Sequence, residues 1–290
     1  MTERPDQSPI TSPRSERVRK VAALTGRSAR RRQGRFRIEG PFAVRSLLEH
    51  RGELALEVFL TERADAEHPQ LRQLARGADV PLRIVDEQIL RAMLRDQDAD
   101  GADGASVTPQ GAVAVGALPA EEPALASEAL RALPGQGPLT VVVLHEVRDP
   151  GNVGTLIRTA DAAGADLVLL TRTCADPYSP KAVRAAVGSL FHLPVLAGAE
   201  IEGVLAELAA CEITAAATSG HAADELFTAE LPGRIAWLLG NEARGLDEHT
   251  LATAPLAVRI PLAGRAESLN VHTAATVCLF ETLRRRQAGS

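Results

Sequence analysis

The sequence predicts a two-domain α/β protein, and three observations carry that prediction. Apolar strand-like runs alternate with helical patterns along most of the 290 residues. In the second half the runs, such as "LTVVVLHEV" and "RIAWLLG", are apolar at nearly every position, as parallel strands covered on both faces must be. Between the halves, residues 119–137 ("PAEEPALASEALRALPGQG") mix Pro, Glu and Ala in the manner of a linker holding a helical turn or two. With 45% hydrophobic residues, the chain can bury a core on each side of it.

In chain order, residues 1–13 carry Pro5, Pro9 and Pro13 among Ser, Thr and Asp, too little apolar surface to order a segment, and read as a flexible tail. Residues 14–118 read as a small α/β domain. It begins with a basic helix near 14–26 and "FRIEG", continues through a helix in "FAVRSLLEH", "LALEVFLT", a helix from Glu67 and "VPLRIV", and ends with a helix from Asp86 and "GAVAVGAL". Within it, "DQDADGADG" places Asp96, Asp98, Asp100 and Gly101 as an EF-hand loop would, but Val107 stands where the bidentate Glu belongs, so a surface loop is expected. The second domain, 138–290, predicts strands in "LTVVVLHEV", "DLVLL", "FHLPVL", "EITAAAT", "RIAWLLG" and "LAVRIPL". Helices lie between them at 152–163, near 180–188, at 200–210 and near 247–253, and a long helix closes the chain.

Cys174, Cys211 and Cys278 are odd in number and widely spaced, which gives neither a disulfide framework nor a metal knuckle and suits reduced cytoplasm. No apolar run approaches the ~20 residues of a membrane span, and the N-terminus lacks a signal-peptide core. A soluble cytoplasmic protein is expected. His145, His192 and His272 are isolated from one another, so no metal is expected. The net charge is −5, yet Arg14, Arg17, Arg19, Lys20, Arg27, Arg30, Arg31, Arg32, Arg35 and Arg37 fall in one stretch with a single acid, Glu16. From charge alone two readings stay open: a phosphate-binding patch, or a solvated basic helix or arm.

Parallel sheets bind ligands at the carboxyl ends of their strands. Three segments stand there: "DPGNVGTLIRTADAAG", with Asn152 able to cap a helix and Arg158 about two turns in; "GNEARGLDEH", where the apolar strand meets Gly240, Asn241 and Glu242; and "AGRAESLNVHTAATVCLFETLRR", with Ser268, Leu269 and Asn270 at a helix start. Neither a GxGxxG turn nor a GxxxxGK loop nor a nucleophile elbow is present, which removes the usual dinucleotide, kinase and hydrolase readings.

Together "DPGNVGTLIRTADAAGAD", "LLGNEARGL" and "RIPLAGRAESLNV" resemble, in order and spacing, the three motifs of the SpoU family of SPOUT-class RNA ribose 2′-O-methyltransferases. More weakly, "FRIEG" and "TPQGAVAV" resemble that family's ribosomal-protein-like substrate-binding domain. The resemblance implies S-adenosylmethionine as cofactor, a trefoil knot in the C-terminal domain and a homodimer. It assigns cofactor contacts to Leu239, Gly240, Ile260 and Leu269, with Thr218 and Asn241 beside them, and the reaction centre to Asn152, Arg158, Glu242, Ser268 and Asn270. RNA contacts are expected of Arg30, Arg31, Arg32, Arg35 and Arg37 in the basic stretch and of Lys181 and Arg184 in "SPKAVRAAVG".

An arginine with a pKa above ~12 is a poor base, so Arg158 is expected to hold phosphate and stabilise the developing alkoxide. His272, where the family often has a small residue, either crowds the pocket or faces a dimer partner. Ribosomal RNA is the expected substrate; a tRNA enzyme and a non-catalytic RNA-binding or assembly factor are the alternatives.

Overall fold

The structure, a computed structural model, describes residues 10, 12–95 and 110–288. Most of the expected tail and all of "DQDADGADG" lie outside the described residues. The chain forms two compact units, one of residues 1–119 with 178–192, the other of 120–177 with 193–290.

The first unit is built on a mixed four-stranded sheet of β1 (Arg35–Glu39), β2 (Ala55–Leu60), β3 (Leu82–Ile84) and β4 (Ala112–Ala117), in the order β1-β4-β2-β3. β4 runs antiparallel to both neighbours, and β2 and β3 are parallel. The basic helix predicted near 14–26 is α1 (Glu16–Ala22), which starts at Ser15, whose hydroxyl accepts from Val18 N, and gives way to a 3-10 turn; a further helix not predicted from the sequence, α2 (Arg27–Gln33), follows Gly26. The helices α3 (Pro41–His50), α4 (Glu62–Glu67), α5 (Gln70–Gly77) and α6 (Glu87–Met93) complete the crossovers. On one sheet face Val18, Val21 and Leu24 meet Ile89, Leu90 and Met93 over Phe59, Val113 and Val115.

Side chains alternate across a strand, so Phe36 and Ile38 point to one face of β1 and Arg37 to the other. Both faces are covered. Phe36 packs against Tyr178 and Phe191, with ring centroids 4.9 and 6.3 Å away, because α9 (Pro180–Ala186) and the 3-10 turn after it belong to this unit. Arg37, 0% exposed, is matched by Glu39 at 2.7 Å and by the carbonyl of Met93. Burying a guanidinium is tolerable only with such partners, and removing one from a buried pair costs about 3–5 kcal/mol.

The second unit is an all-parallel sheet of seven strands: β5 (Leu139–Leu144), β6 (Leu167–Thr171), β7 (Val195–Ala199), β8 (Thr214–Thr218), β9 (Asp224–Glu225), β10 (Arg234–Leu239) and β11 (Leu256–Arg259). Their order is β7-β6-β5-β10-β8-β11-β9, so β10 returns to the centre beside β5. The predicted strand "FHLPVL" starts late: Ser189–Phe191 is a 3-10 turn and pairing begins at Val195, after Pro194, which has no N–H to give.

The supposed linker contains α7 (Pro123–Ala132), whose Ala126 and Leu130 are buried with α10 (Ile201–Ala210) on one face of the sheet, over Val141, Val143, Leu167, Ala215 and Leu238. The opposite face carries α8 (Pro150–Ala162) and α12 (Val271–Ala288); Trp237 on β10 donates from its indole to the hydroxyl of Thr282 at 3.0 Å. A shorter helix, α11 (Glu248–Thr253), precedes β11. No helix among the described residues is long and apolar enough to cross a membrane.

Candidate active site

The segments that leave β5 and β10 are joined by a set of polar bonds. Leu239 is the last residue of β10, and its carbonyl accepts from the N–H of His145, just past the end of β5. Beyond it the chain turns back on itself: Asn241 and Gly245 exchange both backbone bonds, at 2.9 and 2.8 Å. Gly245 takes φ +70°, which costs a glycine nothing. A Cβ on Gly240 would lie 2.3 Å from the carbonyl carbon of Gly245. The requirement for glycine at 240 is thus met inside the protein, by the turn's own backbone.

The turn presents Glu242 to the start of α8. Its carboxylate accepts from Arg148 N at 3.3 Å, from Asp149 N at 3.1 Å and from the amide nitrogen of Asn152 at 3.1 Å. Partial burial pushes the Glu242 carboxyl up, but these donors outweigh it and hold it below its ordinary value. Asn152 does not cap α8, as the sequence suggested. Asp149 does, its carboxylate accepting from Asn152 N at 3.0 Å, which leaves the Asn152 side chain for Glu242. Asn241 turns the other way: its amide donates to the carbonyl of Glu146 at 3.0 Å, while its oxygen accepts from Ala243 N and Arg244 N. Asp247 caps α11 through Thr250 and lies 3.4 Å from the ring of His145. Thr250's hydroxyl and N–H hold the Asp247 carboxyl below its ordinary value.

The segment leaving β11 is built differently. Pro261 through Ser268 are all exposed, and no backbone group from Pro261 to Leu269 is bonded to another backbone group among the described residues. Asn270 ends the segment as the cap of α12, its side-chain oxygen accepting from His272 N at 2.9 Å. The ring of His272 lies 2.9 Å from the hydroxyl of Thr159 on α8, so inside this chain it ties two helices together.

Of the cofactor residues expected from the sequence, Thr218, Leu239, Gly240, Asn241 and Ile260 stand at the carboxyl ends of β8, β10 and β11, three adjacent strands, and Leu269 lies at the end of the open segment. Thr218's hydroxyl donates to the carbonyl of Leu238. Of the reaction-centre residues, Asn152 and Glu242 are in contact. Arg158, exposed on α8, has no hydrogen-bond or ion-pair partner among the described residues, and Ser268 is exposed. Glu146, at φ +57° on the segment after β5, has a place in the network that the sequence did not announce, since nothing in "LHEVRDP" marks a left-handed residue that is not glycine.

The basic stretch divides. Arg31, Arg32 and Arg35 are exposed, but two of its members do not face solvent. Arg30 is 2% exposed and donates to the carbonyls of Leu24 and Thr25, closing the turn between α1 and α2; Arg37 is buried as described. Neither can meet a phosphate in this structure. Arg184 is half-buried in an ion pair with Glu39 at 3.0 Å, and Lys181 is exposed. No cluster of three or more metal-ligating side chains occurs among the described residues, and Cys174, Cys211 and Cys278 are free.

Known proteins resemble this chain in both of its parts. Residues 139–280 match the SpoU rRNA methylase family, and residues 37–102 match the RNA 2′-O ribose methyltransferase substrate-binding domain. The 23S rRNA (guanosine-2′-O-)-methyltransferase RlmB of Pseudomonas putida is 31% identical over 252 residues, covering 87% of this chain and 97% of that protein. A 23S rRNA (uridine(2479)-2′-O)-methyltransferase of Streptomyces viridochromogenes is 33% identical over 97% of this chain and 93% of its own length. The crystal structure of AviRb from Streptomyces viridochromogenes, in complex with the cofactor AdoMet, superposes with a TM-score of 0.79 at 28% identity, covering 96% of this chain and all of that one. The chain belongs to the SpoU rRNA methylase family, with an RNA 2′-O ribose methyltransferase substrate-binding domain ahead of the methylase domain.

Proposed function

We propose that this protein transfers a methyl group from S-adenosylmethionine to a ribose 2′-hydroxyl of 23S ribosomal RNA. The observation that carries the reading is the bond between Asn152 and Glu242, which brings the first and second motifs together at the carboxyl edge of the parallel sheet. Several relatives over most of the chain act, by their names, on 23S rRNA, which favours it over tRNA. Such a substrate places the reaction in the cytoplasm.

The residues present suit the cofactor. A ligand recognised through backbone groups needs free ones, and the segment Pro261–Leu269 offers them beside the ends of β8 and β10. Leu239, Gly240, Ile260 and Leu269 would hold it, with Thr218 and Asn241 alongside. When bound, it supplies an electrophilic methyl group on a sulfonium.

What the chain's own residues must do is orient a ribose and manage a proton. Glu242 is an unsuitable base: three donors already occupy its carboxylate and lower its affinity for a proton. Its part is to fix Asn152 and the turn after β10. Arg158, exposed and unpartnered among the described residues, is free to take a phosphate of the RNA and to stabilise the oxyanion as the 2′-hydroxyl loses its proton. Ser268 and the amide nitrogen of Asn270 are open to polar contact with the substrate. Arg31, Arg32, Arg35 and Lys181 remain as RNA contacts on the first unit. We place the active form as a homodimer, as the family resemblance implies.

The test is to map 2′-O-methylation on total RNA, ribosomal and transfer RNA together, incubated with AdoMet and either wild type or Arg158→Ala. One ribose should gain a methyl group with wild type, and the variant's kcat should fall about 100-fold with AdoMet affinity retained. Methylation confined to tRNA, or none, would overturn the substrate.

A further inference from the structure

We propose that Arg148 and Arg244 form a phosphodiester-binding fork beside the reaction centre, spread on the carboxylate of Glu146. The proposal rests on the reading of RNA as substrate and adds a site for its backbone distinct from Arg158.

Both guanidinium groups reach the same oxygen: Arg244 Nη2 lies 2.9 Å and Arg148 Nη2 3.5 Å from Glu146 Oε2. The carboxylate is 26% exposed, whereas the arginines are 60% and 69% exposed. The acid is therefore the root of the group and the cations its outer surface. A guanidinium has five N–H donors, and this contact uses few of them, so most are left for solvent or a ligand.

Glu146 is held on three sides. Its backbone is at φ +57°, a conformation that residues with side chains rarely take; its carbonyl accepts from Asn241 and its N–H donates to the hydroxyl of Thr171. A backbone kept there by neighbours aims the side chain along the edge where β5 and β10 end. The fork is tied to the reaction centre by main chain: Arg148's own N–H donates to Glu242, which holds Asn152.

The nearby acids are engaged elsewhere. Asp149 caps α8, Glu242 accepts from three donors, and Asp247 caps α11 and faces His145. Within the fork two arginines over one carboxylate leave one positive charge in excess; the surrounding acids keep their own charges but spend their oxygens on the N–H groups of helix starts and of the turn. A polyanion whose 2′-hydroxyl must reach this edge presents phosphates on both sides of that ribose, and two guanidinium groups fit one of them.

The full-length protein is titrated with poly(U), a sequence-neutral phosphodiester, across a salt series, and with AdoMet by calorimetry. Wild type is compared with Arg148→Ala/Arg244→Ala and with Arg131→Ala/Arg284→Ala, which removes two exposed charges from α7 and α12, outside the substrate-binding domain. The fork variant should bind poly(U) about tenfold more weakly, with a salt slope shallower by roughly 0.7 for each phosphate that the arginines no longer neutralise, and with AdoMet affinity unchanged. The control pair should change neither. Equal poly(U) affinity and slope in wild type and fork variant, no poly(U) binding by wild type, or an equal loss in the control pair would each overturn the fork. A parallel loss of AdoMet affinity would make the arginines supports of the cofactor segment instead. If the fork variant behaves as expected while wild type methylates no RNA, the fork stands and the assigned activity falls.

Discussion

The turn after β10 and the segment after β11 lie at the same edge of one sheet, separated only by β8, yet they are held in opposite ways. Residues 239–247 are bonded to residues 145–152 through backbone, amide, carboxylate and guanidinium groups. Residues 261–269 have no backbone partner among the described residues and eight consecutive exposed positions, Pro261–Ser268. The first arrangement exists before any ligand arrives, which is how a reaction centre keeps its geometry. The second leaves its donors and acceptors for something else to satisfy. A rigid wall facing an open one lets the chain fix catalytic groups while admitting a ligand through the other side.

The sharpest way to break this contrast is Gly240→Ala. The new methyl group would sit 2.3 Å from the backbone of Gly245 and 2.4 Å from that of Leu246, so the turn must open. Overpacking against backbone costs about 1–3 kcal/mol or more, and the melting temperature should fall by several degrees, with methyl transfer lost. Unchanged melting and activity would mean that the turn is not rigid.

Next in size is Glu242→Ala. It removes one acceptor and strands the N–H groups of Arg148 and Asp149 and the amide of Asn152. Methyl transfer is expected to fall about 100- to 1,000-fold, in kcat more than in AdoMet affinity, because Asn152 loses its orientation while the open segment is untouched. Equal losses in both would show that the two walls act as one.

Amide exchange then tests the open wall alone. Amides from Leu262 to Leu269 should exchange fast in the free protein and slow on adding AdoMet, whereas those of Asn241 and Gly245 should already be slow. An open segment protected before the cofactor is added would remove the contrast.

Much of this was legible in the sequence, and what was not has physical causes. The apolar strands and their helices could be placed because burial on both faces leaves an unmistakable pattern. The segments carrying Asn152, Glu242 and Asn270 could be named because motif order survives without a structure. Whether Arg37 binds RNA could not, because that depends on what covers the second face of β1, and the covering carboxylate and carbonyl come from Glu39 and distant Met93. Nor could the packing of residues 178–192 with the first unit, which rests on Tyr178 and Phe191 meeting Phe36 across more than 140 positions of sequence. Cutting the chain after residue 118 would strip those aromatics of their partner, so truncation is a poor way to separate RNA recognition from methyl transfer. The resemblance gives Gly240 a backbone contact with the cofactor, and the structure adds a second reason for glycine there, since a side chain would strike its own turn. A sequence announces that a position needs a glycine more readily than it announces what comes close.

The smallest effect expected is the pH dependence of the rigid wall. The carboxyls of Glu242 and Asp247 both titrate below their ordinary values in the folded chain. For an acid so shifted, the folded state prefers the ionised form more than the unfolded chain does. Its contribution to stability is therefore complete above the unfolded pKa, about 4 for these groups, and disappears as pH falls through the lower folded value. For Glu242 burial works against the donors, so the net gain is modest. The difference in melting temperature between wild type and Glu242→Gln should be about one or two degrees at neutral pH and vanish on acidification below about pH 4. The amide of Gln would point a donor at N–H groups that need an acceptor, which is why the variant is the less stable at neutral pH. Once Glu242 is itself protonated, wild type suffers the same mismatch. A gap that persisted undiminished at acidic pH would show that shape, and not the charge on the carboxylate, holds the turn against α8.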